Sequence, residues 1–210
     1  MKTKSIFLIS LLFNIIFLIT GAYIFRDKWI QKIVAMQGDA KIVMFGNSLT
    51  AQGKWVELLG RTDVLNNGFP GLCTYHFLSL LQPHVIDKHP SVCFIEAGIN
   101  DITVGVAQEK IRQNYQVILE TIAKNGITPV VTLTLYEQND PESKKEVISL
   151  NEFLIAYCKK NKIGYLDLNQ YLSDSTGLKK EFARDKTHLN AAAYKIWASE
   201  IDKILKRMNL

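Results

Sequence analysis

Cysteine and histidine are both scarce in this chain, three of the first and four of the second among 210 residues. Cys73, Cys93 and Cys158 are odd in number and lack metal-like spacing, so neither a disulfide framework nor a thiolate zinc site is indicated. Cys93 lies inside an apolar run and reads as a small core residue. His76, His84 and His89 gather around Pro83 and Pro90, with no carboxylate or cysteine at zinc spacing, and read as surface or packing residues. Neither a metal nor an organic cofactor is called for. Charge of one sign is lacking too: 25 Lys and Arg are mixed with 20 Asp and Glu for a net +5, and no basic stripe supports a nucleic-acid partner. There are no internal repeats and no low-complexity tracts. With 48% hydrophobic and 21% charged residues, the composition is that of one folded domain with a sizeable core.

The N-terminus is different. After Met1–Lys4, the run Ile6–Phe25 is interrupted only by Ser10, Asn14, Thr20 and Gly21. Twenty residues of helix span about 30 Å, the thickness of a bilayer core. A cleaved signal peptide is the rival reading, but it usually has a shorter apolar region and an A-x-A-like site, which this segment lacks. No cysteine follows the run to carry a lipoprotein anchor. An uncleaved anchor is favoured, giving residues 1–27 as membrane segment, 28–39 as a short amphipathic linker and 40–210 as the folded domain. Lys2 and Lys4 favour a cytoplasmic N-terminus and an extracytoplasmic domain, against the pull of Arg26, Lys28 and Lys32 on the other flank.

Within the domain, apolar runs at 41–45, 63–66, 92–97, 128–133 and 164–168 read as strands. Helical patterns lie between them, at 108–125 and 144–160. In the first, Ile111, Tyr115, Ile118 and Ile122 make a single apolar face, and Asn125-Gly126 stops it. A last helix begins after Asn190 as N-cap and runs to Arg207. Strands alternating with helices predict a parallel sheet covered on both faces, a three-layer α/β/α fold with about five strands.

Four polar stations then fall at strand or helix ends: Gly46-Asn47-Ser48, the segment Asn66–Gly71 (NNGFPG), Gly98-Ile99-Asn100-Asp101, and Asp185-Lys186-Thr187-His188. A doubly wound sheet brings such positions to one carboxyl edge. A nucleophile, a base, an orienting acid and hydrogen-bond donors are what acyl transfer needs. In this order the stations resemble the GDSL or SGNH hydrolase family of esterases and lipases, over Lys41 to about Leu189. The resemblance implies a flavodoxin-like fold and metal-free ester hydrolysis through an acyl-enzyme. It implies Ser48 as nucleophile, Asp185 and His188 as its triad partners, and an oxyanion hole from Gly71, Asn100 and the Ser48 backbone. One position departs from the pattern: the family's usual Gly-Asp-Ser is Gly46-Asn47-Ser48, which keeps the shape of the turn and loses a charge.

The chemistry agrees with the resemblance. A serine hydroxyl needs a base, and neutral histidine serves near pH 7. Asp185, three residues before His188, can reach Nδ1 in a short turn and leave Nε2 free. Other polar residues take plainer roles. Glu96 is read as a helix-capping or ion-pairing group over a buried polar residue near the site, Asp101 as a turn residue, and Asp167 as a bond to loop backbone. Trp55, Phe69, Tyr75 and Tyr136 are read as core over pocket lining. The segments Leu135–Ser143 and Leu72–Leu81 are expected to rim the site. The expected activity is hydrolysis of an O-acyl ester of a lipid, a sugar or a cell-wall glycan. The alternatives are O-acyl transfer by the same residues or a non-catalytic binding protein of the same fold.

Overall fold

The computed structural model describes residues 2–37 and 40–210. Helix α1 (Lys2–Gln37) leads into β1 (Ile42–Gly46), the short helices α2 (Ser48–Ala51) and α3 (Trp55–Leu59), and β2 (Val64–Gly68). Then come α4 (Thr74–His84), β3 (Val92–Glu96), α5 (Ile99–Thr103), α6 (Gln108–Lys124), β4 (Thr128–Thr132) and α7 (Pro141–Asn161). The chain ends with β5 (Gly164–Leu166), α8 (Asn169–Leu172), the hairpin β6 (Ser173–Asp174) and β7 (Gly177–Leu178), and α9 (Ala191–Arg207). β1 to β5 form one parallel sheet in the order β2-β1-β3-β4-β5, which makes β2 and β5 its edges.

The strands are apolar on both faces because both faces are covered, and the pleat divides their side chains between two cores. Val43, Phe45, Cys93, Ile95 and Val131 pack with Phe77 of α4, the Ile111–Ile122 stripe of α6 and Leu150 and Leu154 of α7. Ile42, Met44, Val92, Phe94 and Val130 pack with Trp55 of α3 and Trp197, Ile201 and Leu205 of α9. The two tryptophans meet edge to face, with ring centroids 5.0 Å apart. The helix stops are those expected: Asn125 closes α6, and the Asn190 side chain accepts from Ala192 and Ala193 N–H to open α9.

Several boundaries move by one to three residues. The third and fifth strands stop at Glu96 and Leu166 instead of running on to Ala97 and Leu168, because the chain turns there into α5 and α8. α7 starts at Pro141, before the expected Lys144: Asp140 accepts from Ser143 N–H and proline needs no donor in the first turn. The segment Leu72–Leu81 is largely helix α4, and the β6–β7 hairpin follows no apolar alternation long enough to announce it.

Within α1 the segment Leu8–Arg26 is long and apolar enough to cross a membrane, and none of it is buried against the domain. The region expected as linker continues the helix as far as Gln37; its last residues, 38 and 39, lie outside the described residues, as do the side chains of Lys2 and Lys4. This part of α1 docks on the domain. Val34 is buried, and the Gln31 amide donates to Val64 O at 2.9 Å and accepts from Asn66 N–H at 2.6 Å. One side chain thereby satisfies two groups on the outer edge of β2, an edge that would otherwise offer itself to another chain.

Candidate active site

β1 ends at Gly46, and Asn47 turns the chain into α2. The Asn47 side-chain oxygen accepts from Leu49 N–H at 2.8 Å, the bond that caps this helix, so Ser48 occupies its first turn with the hydroxyl outward. Gly68, beside Gly46 in the sheet, lies so close to α2 that a Cβ there would strike the Ala51 backbone. The next amide, Phe69 N–H, donates to Gly46 O at 2.7 Å. Serine corner and the Gly68–Gly71 loop are thus one unit.

His188 reaches this corner from a tight loop. Arg184 N–H donates to His188 O at 2.8 Å, and Ala183 and Leu189 form an antiparallel bridge, so residues 184–188 close on themselves. Inside the loop Asp185 accepts from Thr187 N–H at 3.0 Å and His188 N–H at 2.8 Å, and both its oxygens lie 2.9 Å from His188 Nδ1. Those backbone donors, His188 first, hold the Asp185 carboxyl well below the usual carboxylate range. An ionised Asp185 keeps the imidazole proton on Nδ1 and leaves Nε2 to face Ser48 Oγ at 3.0 Å. α9 ties the halves together: Tyr194 Oη donates to Leu49 O at 2.6 Å.

The expected donors lie in the segments that follow β2 and β3. Gly71 has φ +78°, a conformation glycine adopts without the strain a side chain would bring. Asn100, in α5, donates one amide hydrogen to Leu72 O at 2.9 Å. An amide carries two, so a second is left for a ligand, while the first fixes Asn100 against the Gly71 loop.

Two acids correct the sequence reading. Asp101 is no mere turn residue. It is fully buried and accepts from Thr74 N–H at 3.0 Å and Thr74 Oγ at 2.6 Å, with Asn114 in turn donating to Thr74 Oγ. It pins the start of α4, just past Gly71, to α5, which carries Asn100. Glu96 neither caps a helix nor forms an ion pair among the described residues. It is 1% exposed beneath the serine corner and accepts from Asn47 Nδ2 at 3.2 Å. Burial pushes its carboxyl up to about 8, against the smaller opposing effect of the Asn47 bond. This contact uses the departure at position 47: the asparagine amide donates to Glu96, a bond an ionised aspartate has no hydrogen to make.

The segment Leu135–Ser143 braces the histidine loop. Glu137 accepts from Thr187 Oγ at 2.6 Å, Gln138 N–H donates to Lys186 O at 2.8 Å, and Lys186 pairs with Asp140 at 2.7 Å. Nothing in the spacing of these residues announces the partnership. Asp167 accepts from Asn169 N–H, a loop-backbone bond as expected. Trp55 is core, Phe69 packs on Phe45 and His84, Tyr136 is half-buried beside Lys144, and Tyr75 is exposed. His76 accepts from Cys73 N–H; all three cysteines are buried and free.

Residues 33–196 match the model of the GDSL-like lipase/acylhydrolase family. The chain belongs to this family. It has the five-stranded parallel sheet seen in solved members of that fold. Among solved structures it is similar to a GDSL-like lipase of Bacteroides thetaiotaomicron, at 22% identity and TM-score 0.74 over 82% of this chain and 90% of that one. It is also similar to an acetylxylan esterase of Geobacillus stearothermophilus, at 15% identity and TM-score 0.67 over 78% and 93%. Among curated relatives, an N-acylneuraminate cytidylyltransferase of Streptococcus agalactiae is 25% identical over 119 residues, 56% of this chain and 29% of that protein. The chain therefore spans less than a third of that relative, and the match concerns a shared segment.

Proposed function

We propose that this acylhydrolase is a membrane-anchored serine esterase, with Ser48 as nucleophile, His188 as general base and acid, and Asp185 as the group that orients the imidazole. The observation that carries the reading is the chain of contacts from Ser48 Oγ to His188 Nε2, 3.0 Å, and from His188 Nδ1 to Asp185, 2.9 Å. Ser48 Oγ attacks the ester carbonyl while Nε2 takes its proton. The oxyanion receives hydrogen bonds from the backbone N–H groups of Ser48 and Gly71 and from the free amide hydrogen of Asn100. Collapse breaks the C–O bond, and the alcohol leaves with the proton held by His188. Water then attacks the acyl-enzyme, gives its proton to His188, and the carboxylic acid departs as Ser48 is restored.

In this reading residues 1–27 anchor the domain, and the basic flank Lys2 and Lys4 favours an extracytoplasmic active site. The length of the Leu8–Arg26 segment supports anchoring; cleavage as a signal sequence is the rival, and a mature N-terminus near Tyr23 would establish it. The test of the chemistry is labelling with a fluorophosphonate, together with turnover of p-nitrophenyl esters from acetate to palmitate. The wild type is expected to label and turn over, and Ser48→Ala to do neither at an unchanged melting temperature. Turnover retained in Ser48→Ala would end the assignment. Addition of sugar acceptors separates hydrolysis from acyl transfer, since both share the acyl-enzyme.

A further inference from the structure

The apolar N-terminal segment and the catalytic corner leave the domain on the same side. Val34 of α1 packs in one core cluster with Ala40 and Ile86, which precede β1 and β3 at the amino edge of the sheet. Three residues earlier, Gln31 bonds β2 at Val64 and Asn66. Earlier still, Ile24 and Lys28 share a cleft of about 400 Å³ with Gly53, Lys54 and Gly68. Tyr23 and Arg26 share another with Lys54 and Val56. The helix therefore climbs antiparallel to β2, from the amino edge to the carboxyl edge. Heights follow from the rise of each element. Five helical residues carry α1 about 8 Å from Gln31 to Arg26. Three strand residues carry β2 about 10 Å from Leu65, beside Gln31, to Gly68. Arg26 ends the apolar segment, and Gly68 neighbours Gly46, two residues before Ser48. The membrane-length part of the helix thus begins at the level of the serine corner.

We infer that the Ser48–His188 site opens onto the headgroup layer of the membrane crossed by the chain's own helix, and that its substrate is an acyl ester of a lipid in that membrane. The inference rests on the anchored serine-esterase reading and adds its orientation and substrate class. The Gln31 bonds and the burial of Val34 fix the helix to the domain below Arg26, so the carboxyl edge is held at the depth where the apolar run ends. The rim suits that depth. Tyr75 and Val104, beside the Gly71 and Asn100 stations, are 50% and 67% exposed. Lys54 and Arg184 hold their charged ends in solvent, in pairs of 3.7 and 3.5 Å with Glu57 and Asp185. Exposed aromatic and apolar groups among cations match the boundary between acyl chains and phosphate headgroups. An ester just below the headgroups needs little displacement to reach Ser48. One displayed on a distant glycan would have to bend down to the membrane.

The test uses the full chain in phosphatidylcholine–phosphatidylglycerol vesicles. Nitroxides are attached at Tyr75→Cys and Val104→Cys on the carboxyl edge, and at Lys88→Cys and Asn125→Cys on the amino edge; the native cysteines are buried. Collision with oxygen against a water-soluble nickel complex is expected to report interfacial depth at 75 and 104 and bulk water at 88 and 125. Equal or reversed depths overturn the orientation. Hydrolysis of a labelled phospholipid is expected to be at least tenfold faster in the protein's own vesicles than in protein-free acceptor vesicles mixed with them. Equal rates overturn the substrate class. The underlying reading fails differently: loss of the chain from vesicles in a carbonate wash removes the anchor, and turnover of a soluble ester by Ser48→Ala removes the nucleophile.

Discussion

Replacing Glu96 by Gln probes the buried acid beneath the serine corner. Its folded pKa of about 8 stands against a reference of 4.5, so between those values the folded chain holds a proton that the unfolded chain has released. With one more proton bound in the native state, stability falls as pH rises, by about 1.4 kcal/mol per unit, and levels off above pH 8. Across pH 5 to 8 the total is on the order of 3–4 kcal/mol, a large share of the roughly 5–15 kcal/mol that holds a domain folded. Gln at this position keeps an oxygen for the Asn47 amide, 3.2 Å from Glu96 Oε1, and cannot ionise. It also puts an amide N–H₂ in place of Oε2, an atom with no partner among the described residues, at a cost of about 1–3 kcal/mol. The expected result is a crossing: Glu96→Gln equal to or weaker than wild type at pH 5, and more stable at pH 8. Urea unfolding of both proteins in detergent, from pH 5 to 8.5, measures it. Parallel curves for the two would show that Glu96 is ionised in the folded protein and that the argument from burial is wrong.

Other predictions concern the site directly. Asn100→Ala should lower kcat by roughly 10²–10³ with little change in KM, since an oxyanion donor acts mainly in the transition state; a loss confined to KM would make Asn100 a binding residue. Asp185→Asn should be severe, because an amide can hold the imidazole in the wrong tautomer, and steady-state kinetics should show the loss in kcat. Wild-type kcat/KM should show an acid limb, and one that survives in residual His188→Ala turnover would point to another base. Removal of residues 1–27 should leave a soluble, active domain, because Gln31 and Val34 stay in place. Removal of 1–37 should lower the melting temperature and promote association by baring the β2 edge, as scanning calorimetry and light scattering would show.

What the sequence determined was what neighbouring residues decide together. The apolar stripe of α6, the Asn190 cap, the membrane-length run and the turn from Asp185 to His188 are local patterns, read without knowing what lies opposite. The order of strands and polar stations also sufficed to bring Ser48, Gly71, Asn100 and His188 to one edge, since a doubly wound sheet allows little else. Partnership across the sheet was a different matter. Gly46 and Glu96 are register neighbours on β1 and β3, and only that register puts the carboxyl within reach of Asn47, 49 residues away. Asp101 meets Thr74 across 27 residues, Glu137 meets Thr187 across 50, and Gln31 meets Val64 across 33. A carboxylate with no partner nearby in sequence looks like a turn or surface residue. Its meaning changes when packing removes its water and a distant donor supplies the hydrogen bond, and that exchange exists only in the folded chain.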